Sequence, residues 1–335
     1  MTRIANLRFY ILWIIISFIA GCNNNTTESP YDEIVSRPPY ANLTDSIRND
    51  SKNAELYFRR AILLNKNNFP EPALADFRKA WSISKEEKYA LGISNVLLEK
   101  NPDSATLFIK EALQKLPESY LLKLTLARSY DAQNKIDDAL KVCDEILSFD
   151  PNQLDALILK SDLFEKKQDT SGSLAALEKA YSLAPHLIDI NYKLAFKYAE
   201  SKNPKVIGLC DSLIKKDTLD QYAEPYYFKG VYFYNVGNKN KAIEQFDLAI
   251  QHDYNFLDAH LEKGRALFEL KKYSEAFKTF QLAATITPTF ADAWYWMGKS
   301  QEALGNNEEA KLNYQRAYGL DKTLTEAKEA ADKLK

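Results

Sequence analysis

Apolar and small residues near the end of this chain follow a helical rhythm that restarts every 34 positions. Trp294, Met297, Gly298 and Gln301 fall at i, i+3, i+4 and i+7, one face of a helix. Leu304-Gly305-Asn306-Asn307 breaks the pattern, with glycine where a chain leaving a helix takes positive φ cheaply. Ala310, Tyr314 and Ala317 then line one face of a second helix. The same rhythm stands one and two periods earlier. Glycine recurs at Gly230, Gly264 and Gly298, alanine at Ala242, Ala276 and Ala310, and an aromatic at Phe246, Phe280 and Tyr314. Small residues at these places let paired helix axes come close, and Ala276 is expected to be buried between them. A large side chain there would cost about 1–3 kcal/mol in strain. A fixed period of this length marks a solenoid, which offers a long surface rather than an enclosed pocket.

Weaker copies of the pattern run backwards from Pro225. Ala127, Tyr130, Ala139, Ile146 and Pro151 carry one, and Ser161, Phe164, Leu177, Ala180 and Pro185 the next. Ile93, Ala105, Ala112 and Pro117 carry another, and Tyr57, Ala61, Leu64, Ala73, Phe77 and Ala80 the first. The stretch 188–222 diverges most. Ala195 and Tyr198 fit its first helix, but its turn is one residue short and Val206 stands for the usual alanine.

This signature resembles the tetratricopeptide repeat: a large residue, then a small one, then alanine, an aromatic and alanine. Trp294, Met297, Gly298, Ala310, Tyr314 and Ala317 match it, with Lys322 where a closing proline is usual. The preceding copy closes with Pro288 but has His260 in the place of the large aromatic. The resemblance implies an all-α fold, a right-handed α-solenoid of about eight helix-turn-helix repeats. The units are 54–85, 86–119, 120–153, 154–187, 188–222, 223–256, 257–290 and 291–324. Residues 325–335, polar and rich in Lys and Glu, read as the capping helix that a terminal repeat needs.

The N-terminus changes the picture of where such a solenoid works. Arg3 and Arg8 precede FYILWIIISFIA, an apolar run too short for the ~20 residues that cross a bilayer as a helix. Ile19-Ala20-Gly21-Cys22 resembles a bacterial lipobox, which implies a signal peptide over 1–21 and a diacylated Cys22. Residues 22–53 are then a lipidated tether and lead-in, and 23–39 are too polar to fold alone. Asn23 rather than aspartate after the cysteine points to the outer membrane, facing the periplasm.

Little else in the chain suggests chemistry. The net charge of −2 argues against general nucleic-acid affinity. Cys143 and Cys210 sit in units separated by a whole unit, in slots held elsewhere by Phe246 and Phe280, so they read as buried free thiols. His186, His252 and His260 stand apart from any metal-ligand spacing. No phosphate loop or nucleophile elbow is present in the sequence. The expectation is no catalytic residue, no metal site and no cofactor.

In tetratricopeptide arrays the first helices line the concave face, and the resemblance projects a ligand groove here. In the first unit it gives Glu55, Phe58 and Ile62, and in the third Leu121, Leu124, Arg128 and Asp131. The later units give Tyr192, Phe196, Tyr227, Val231, Tyr234, Leu261, Arg265, Phe268, Tyr295 and Lys299. Exposed Tyr, Phe and Arg are the residues of interface hot spots. The same rings could instead pack between adjacent first helices. Two uses of the groove are open: an envelope protein or peptide bound by a membrane-tethered adaptor, or a carbohydrate or peptidoglycan strand stacked on the rings.

Overall fold

The structure is a computed structural model that describes residues 30–219 and 221–334. The signal segment, Cys22 and the start of the tether lie outside the described residues. All regular structure among the described residues is helical. The chain divides into two compact units, residues up to Tyr89 and from Ala90 on.

The first unit holds α1 (Asp32–Val35), α2 (Ala41–Asn49), α3 (Ala54–Lys66) and α4 (Pro70–Ile83). Read from composition, residues 23–39 make a tether. Instead α1 and the residues after it are folded, because they share the core of α3 and α4 rather than building their own. Val35 and Tyr40 are buried, and the Tyr40 ring meets Phe69 edge-on at 6.3 Å. A buried polar key fixes α2. The Arg60 guanidinium donates twice to the Asp76 carboxylate, at 2.6 and 2.8 Å, and once to Thr44 Oγ1 at 2.8 Å. The Thr44 hydroxyl donates in turn to the Val35 carbonyl at 2.6 Å. Burial pushes the Asp76 pKa up even with Arg60 beside it, so breaking this pair would strand a charge.

The division between the units falls within α5 (Glu87–Lys100), which α6 (Pro102–Lys115) follows. Six more pairs of antiparallel-type helix-turn-helix follow: α7 (Tyr120–Ala132) with α8 (Ile136–Phe149), α9 (Leu154–Lys166) with α10 (Thr170–Leu183), and α11 (Ile188–Glu200) with α12 (Lys205–Lys216). Then come α13 (Glu224–Asn235) with α14 (Lys239–His252), α15 (Leu257–Glu269) with α16 (Tyr273–Ile286), and α17 (Ala291–Ala303) with α18 (Asn307–Leu320). The last helix, α19 (Thr325–Lys333), packs Ala331 against Tyr314 and Tyr295. None of the described helices is long and apolar enough to cross a membrane.

Each pair of the second unit is built around one side-by-side contact. In the last three pairs a first-helix glycine faces a second-helix ring. A Cβ on Gly230 would stand 2.5 Å from Phe246, on Gly264 2.3 Å from Phe280, and on Gly298 2.6 Å from Tyr314. In α7–α8 the same places hold Ala127 and Cys143, and in α11–α12 Ala195 and Cys210, all fully buried. Both thiols are free, and burial pushes each up to about 12. The α12 buried set, Val206, Cys210 and Leu213, comes one residue early relative to Ala139, Cys143 and Ile146 of α8. Ala276 is fully buried.

A second recurring device fastens the loop before three of the first helices, α11, α15 and α17. Asn191 Nδ2 donates to the Pro185 carbonyl at 3.2 Å, and Trp294 Nε1 to the Pro288 carbonyl at 3.0 Å. His260 Nε2 stands 2.9 Å from the Tyr254 carbonyl and donates when that nitrogen carries the proton. His260 therefore fills the large-aromatic position with the same latch that tryptophan makes in the next repeat.

Candidate functional site

The open face of the first helices in the second unit changes character along the chain. Over α7, α9 and α11 lysines pair with carboxylates of the neighbouring first helix, while Arg128 of α7 is exposed with no ion pair among the described residues. Lys166 of α9 pairs with Asp131 of α7, Lys193 of α11 with Asp162 of α9, and Lys197 of α11 with Glu165 of α9 and Glu200. All but Lys197–Glu200, which lies within α11, bridge adjacent repeats, so this stretch carries a ladder of paired charge. Exposed pairs of this kind contribute up to about 1 kcal/mol each and hold no group in reserve.

Over α11, α13, α15 and α17 the face is aromatic. Phe196 is 36% exposed, and Tyr192, Tyr227, Tyr234, Phe268 and Tyr295 are half-buried. The eight groove residues projected from the sequence divide into three groups. Tyr192 and Tyr227 are largely wall. Tyr192 meets Phe228 at 5.6 Å and donates to Glu224 at 3.2 Å, while Tyr227 packs on Phe228, Phe246 and Phe256 at 5.0–5.9 Å. For these two, packing between neighbouring helices accounts for much of the ring surface.

Arg265, Tyr234 and Phe268 form a second group. Arg265 donates to Glu262 at 2.7 Å and lies between the Tyr234 and Trp296 rings, 5.8 and 5.6 Å from their centroids. Tyr234 donates to Glu269, which also pairs with Lys239. Burial raises Tyr234 to about 12, so it stays a hydroxyl donor. Burial also raises the Glu262 carboxyl despite the guanidinium beside it. Arg265 is thus paired with Glu262 through one guanidinium nitrogen, while its buried Nε makes no hydrogen bond among the described residues.

Lys299, Tyr295 and Phe196 form the third group, and their functional atoms are uncommitted. Lys299 Nζ lies 4.8, 5.6 and 5.9 Å from the ring centroids of Trp296, Tyr295 and Phe268, and pairs with no carboxylate among the described residues. The hydroxyls of Tyr227 and Tyr295 make no hydrogen bond among the described residues, and burial raises the pKa of both. Near them Asp292 is raised by burial first and by Asp321 next.

Sequence reasoning missed Trp296, which touches Phe268 at 5.5 Å, stacks on Phe280 at 5.8 Å, and carries both cations. Its spacing put it beside the projected positions rather than among them. The spacing of Arg265 to Glu262 was a visible signal that the arginine would be neutralised. In the first unit, Phe58 is covered by Lys88 and Tyr89, Lys88 pairs with Glu55, and Ile62 is exposed. Among the described residues no group of His, Cys, Asp or Glu could hold a metal ion.

Three family models match the chain, all described as tetratricopeptide repeats: over residues 96–163, 264–305 and 291–324. A TPR repeat-containing protein of Methanocaldococcus jannaschii is 39% identical over 70 residues, 21% of this chain and 22% of that one. Tetratricopeptide repeat protein 1 of Schizosaccharomyces pombe is 28% identical over 117 residues, 32% of this chain. The chain spans 11% of the length of that protein. A crystal structure of a tetratricopeptide repeat protein from Parabacteroides merdae superposes with TM-score 0.59 at 18% identity, covering 72% of this chain and 96% of that one. PilW, a type IV pilus biogenesis factor, superposes with TM-score 0.51 at 17% identity, covering 63% and 96%. At these identities the likeness is one of fold.

Proposed function

The chain is a tetratricopeptide-repeat protein, and from that premise we propose that it is an adaptor holding an extended segment of a partner protein along its last four first helices. The observation that carries this is the contrast along the open face. Over α7–α11 every bridging lysine has a carboxylate partner, whereas over α13–α17 Lys299 Nζ and the Tyr227 and Tyr295 hydroxyls are uncommitted among half-buried rings. An extended peptide needs this combination: apolar walls for its side chains and a few donors for its carbonyls. On this stretch Lys299 supplies a positive charge that no carboxylate among the described residues holds, available to an anionic group.

The same proposal puts the adaptor on the bacterial envelope, anchored through an acylated Cys22 and facing the periplasm from the outer membrane. Ile19-Ala20-Gly21-Cys22 and Asn23 support that reading. It is tested by Cys22→Ala, which should leave the chain unprocessed or release it from the membrane fraction. Unchanged maturation and partitioning would sink the anchor.

The groove is tested by cross-linking the mature chain in an envelope extract and measuring the recovered partner against variants. Phe196→Ala with Lys299→Ala removes an exposed ring and an unpaired charge, neither of which the fold needs. Each anchor of this kind contributes about 1–2 kcal/mol, so capture should fall at least about tenfold. Lys166→Ala with Lys193→Ala breaks the paired ladder and should leave capture nearly intact. The reverse result would move the site to the middle repeats.

A further inference from the structure

Two arginine–carboxylate pairs in this chain are built in different ways. In the first unit Arg60 uses all three guanidinium nitrogens, two on Asp76 and one on Thr44. Both side chains of that pair are buried, 10% and 9% exposed. A forked, enclosed pair of this kind fixes structure. In the second unit Arg265 bonds Glu262 through a single nitrogen at 2.7 Å, three residues away on the same helix. Its Nε is buried without an acceptor among the described residues, and its side chain is still 36% exposed. Pairs three residues apart on one helix are weak ties, and this one leaves most of the five guanidinium donors unused.

The surroundings of Arg265 suit an anion from outside. Arg265 and Lys299 hold the same place in successive repeats, 34 residues apart. Both lie against the Trp296 ring, 5.6 and 4.8 Å from its centroid, so two cations share one indole. Tyr234 also meets the guanidinium, and Tyr295 and Phe268 flank the ammonium. Glu262 reaches the first cation, and Lys299 has no carboxylate among the described residues. Glu262 is itself a reluctant anion. Its side chain is only 18% exposed, and burial raises its carboxyl even beside Arg265.

We propose that Glu262 is an internal stand-in for a ligand carboxylate, displaced when a partner segment brings an aspartate or glutamate side chain to Arg265 and Lys299. The inference rests on the reading of this aromatic face as a partner groove. The incoming carboxylate has the advantage of meeting two cations where Glu262 meets one. Once displaced, Glu262 loses the charge that kept it ionised. Asp258 and Glu269 of α15 act on it with like charge, and Tyr227 and Tyr234 of α13 face it with neutral hydroxyls. Asp292 of α17 faces Asp258 and Arg265. Glu262 therefore holds a proton more tightly in the complex than in the free chain. Binding is coupled to proton uptake and strengthens as pH falls.

The test uses the mature chain and a C-terminally amidated peptide of alternating leucine and aspartate, with an asparagine twin. Aspartate stays charged between about pH 6 and 8, so a change over that range belongs to the protein. The aspartate peptide should bind the parent more tightly at the lower pH, and the asparagine twin should show no such gain. Glu262→Gln should bind the aspartate peptide at least about tenfold more tightly at the higher pH and lose the pH dependence. Should that variant melt well below the parent, Glu262→Ala carries the same two expectations. Adding Arg265→Ala should abolish the gain. Asp258→Asn removes an equal charge one turn away without freeing Arg265, so it should gain much less and keep the pH profile. Equal effects of Glu262→Gln and Asp258→Asn overturn the proposal. So does an unchanged pH profile in Glu262→Gln, or no binding of the aspartate peptide to that variant. The groove reading fails separately, if Phe196→Ala with Lys299→Ala spares partner capture.

Discussion

The pair α15–α16 and the pair α7–α8 occupy the same period of one repeat, yet they solve the problem of helix pairing with opposite choices. In α15–α16 a glycine gives its space to a ring, Gly264 to Phe280. In α7–α8 an alanine meets a thiol, Ala127 and Cys143. The open faces differ in parallel. The α13–α18 repeats leave Lys299 unpaired among rings, whereas the first helices α7, α9 and α11 are linked by paired charge, with Phe196 of α11 exposed beside it. Burial of the slot is the fixed quantity, and the sizes of the two side chains that fill it, and how they are split between the helices, are free. What faces the ligand then depends on side chains that the packing does not dictate. One fold thereby makes a binding stretch and a plain structural stretch from adjacent copies of one pattern.

The sharpest way to break this comparison is to put the middle solution's alanine into a ring-filled pair. Gly264→Ala places a Cβ 2.3 Å from a fully buried ring with nowhere to go. It should destabilise the C-terminal repeats by about 2–3 kcal/mol, read as a lower urea midpoint by circular dichroism. Adding Phe280→Cys converts the pair into the alanine–thiol arrangement and should recover part of that loss. A double variant no better than Gly264→Ala would show that the two solutions are not interchangeable. Because a solenoid is stabilised by neighbouring interfaces, the loss should appear in α13–α18 before α7–α10.

A smaller effect separates the loop latches. His260 is 1% exposed, and burial holds its pKa below the ordinary value of about 6.5. The Tyr254 carbonyl, Asp247 and Asp253 act the other way, and Lys263 adds to the depression. The folded state thus binds the proton less well than the unfolded one. Its contribution is fully present above the unfolded pKa and is lost as pH falls through that value towards the folded one. The melting temperature of the C-terminal repeats should therefore drop more between neutral and mildly acidic pH in the parent than in His260→Asn or His260→Trp. Those residues make the same latch at Asn191 and Trp294 without titrating. Equal pH sensitivity in parent and variants would remove His260 from the account.

These tests also mark how far the sequence could be read. The period and its small and aromatic residues announced the helix pairs, because packing at Gly298 and Tyr314 constrains size and size is visible in a residue name. The buried free thiols followed from the same slots. The lead-in was harder. Residues 23–39 looked too polar to fold, since the burial of Val35 and of the following Tyr40 depends on a core that composition over 23–39 does not include. The groove was read in outline. Its positions were found from helical spacing, but the pairing of Arg265 with Glu262 and the open charge of Lys299 depend on which side chains reach each other. Trp296 escaped because a ring at an intermediate position can turn either way, and only its neighbours settle which.

The smallest expected effect concerns the turns, where the repeats share one backbone shape and differ in what fills it. The second residue after each first helix from α7 on takes left-handed φ: Asn134 at 58°, Gln168 at 59°, Lys202 at 57° and Lys271 at 61°, beside Gly237 and Gly305 at 85°. A side chain in that region costs roughly 1–2 kcal/mol, partly offset by the greater freedom glycine has when unfolded. Asparagine bears it best and lysine poorly. Lys271→Gly should therefore raise stability by about 0.5–1 kcal/mol, and Gly305→Lys should lower it by a similar amount, both by urea titration. Asn134→Gly in the middle repeats should change little, because asparagine already tolerates the conformation. If Lys271→Gly and Asn134→Gly shift stability equally, the turns of the two regions are energetically alike. The difference between the regions would then reside wholly in their helix pairs and open faces.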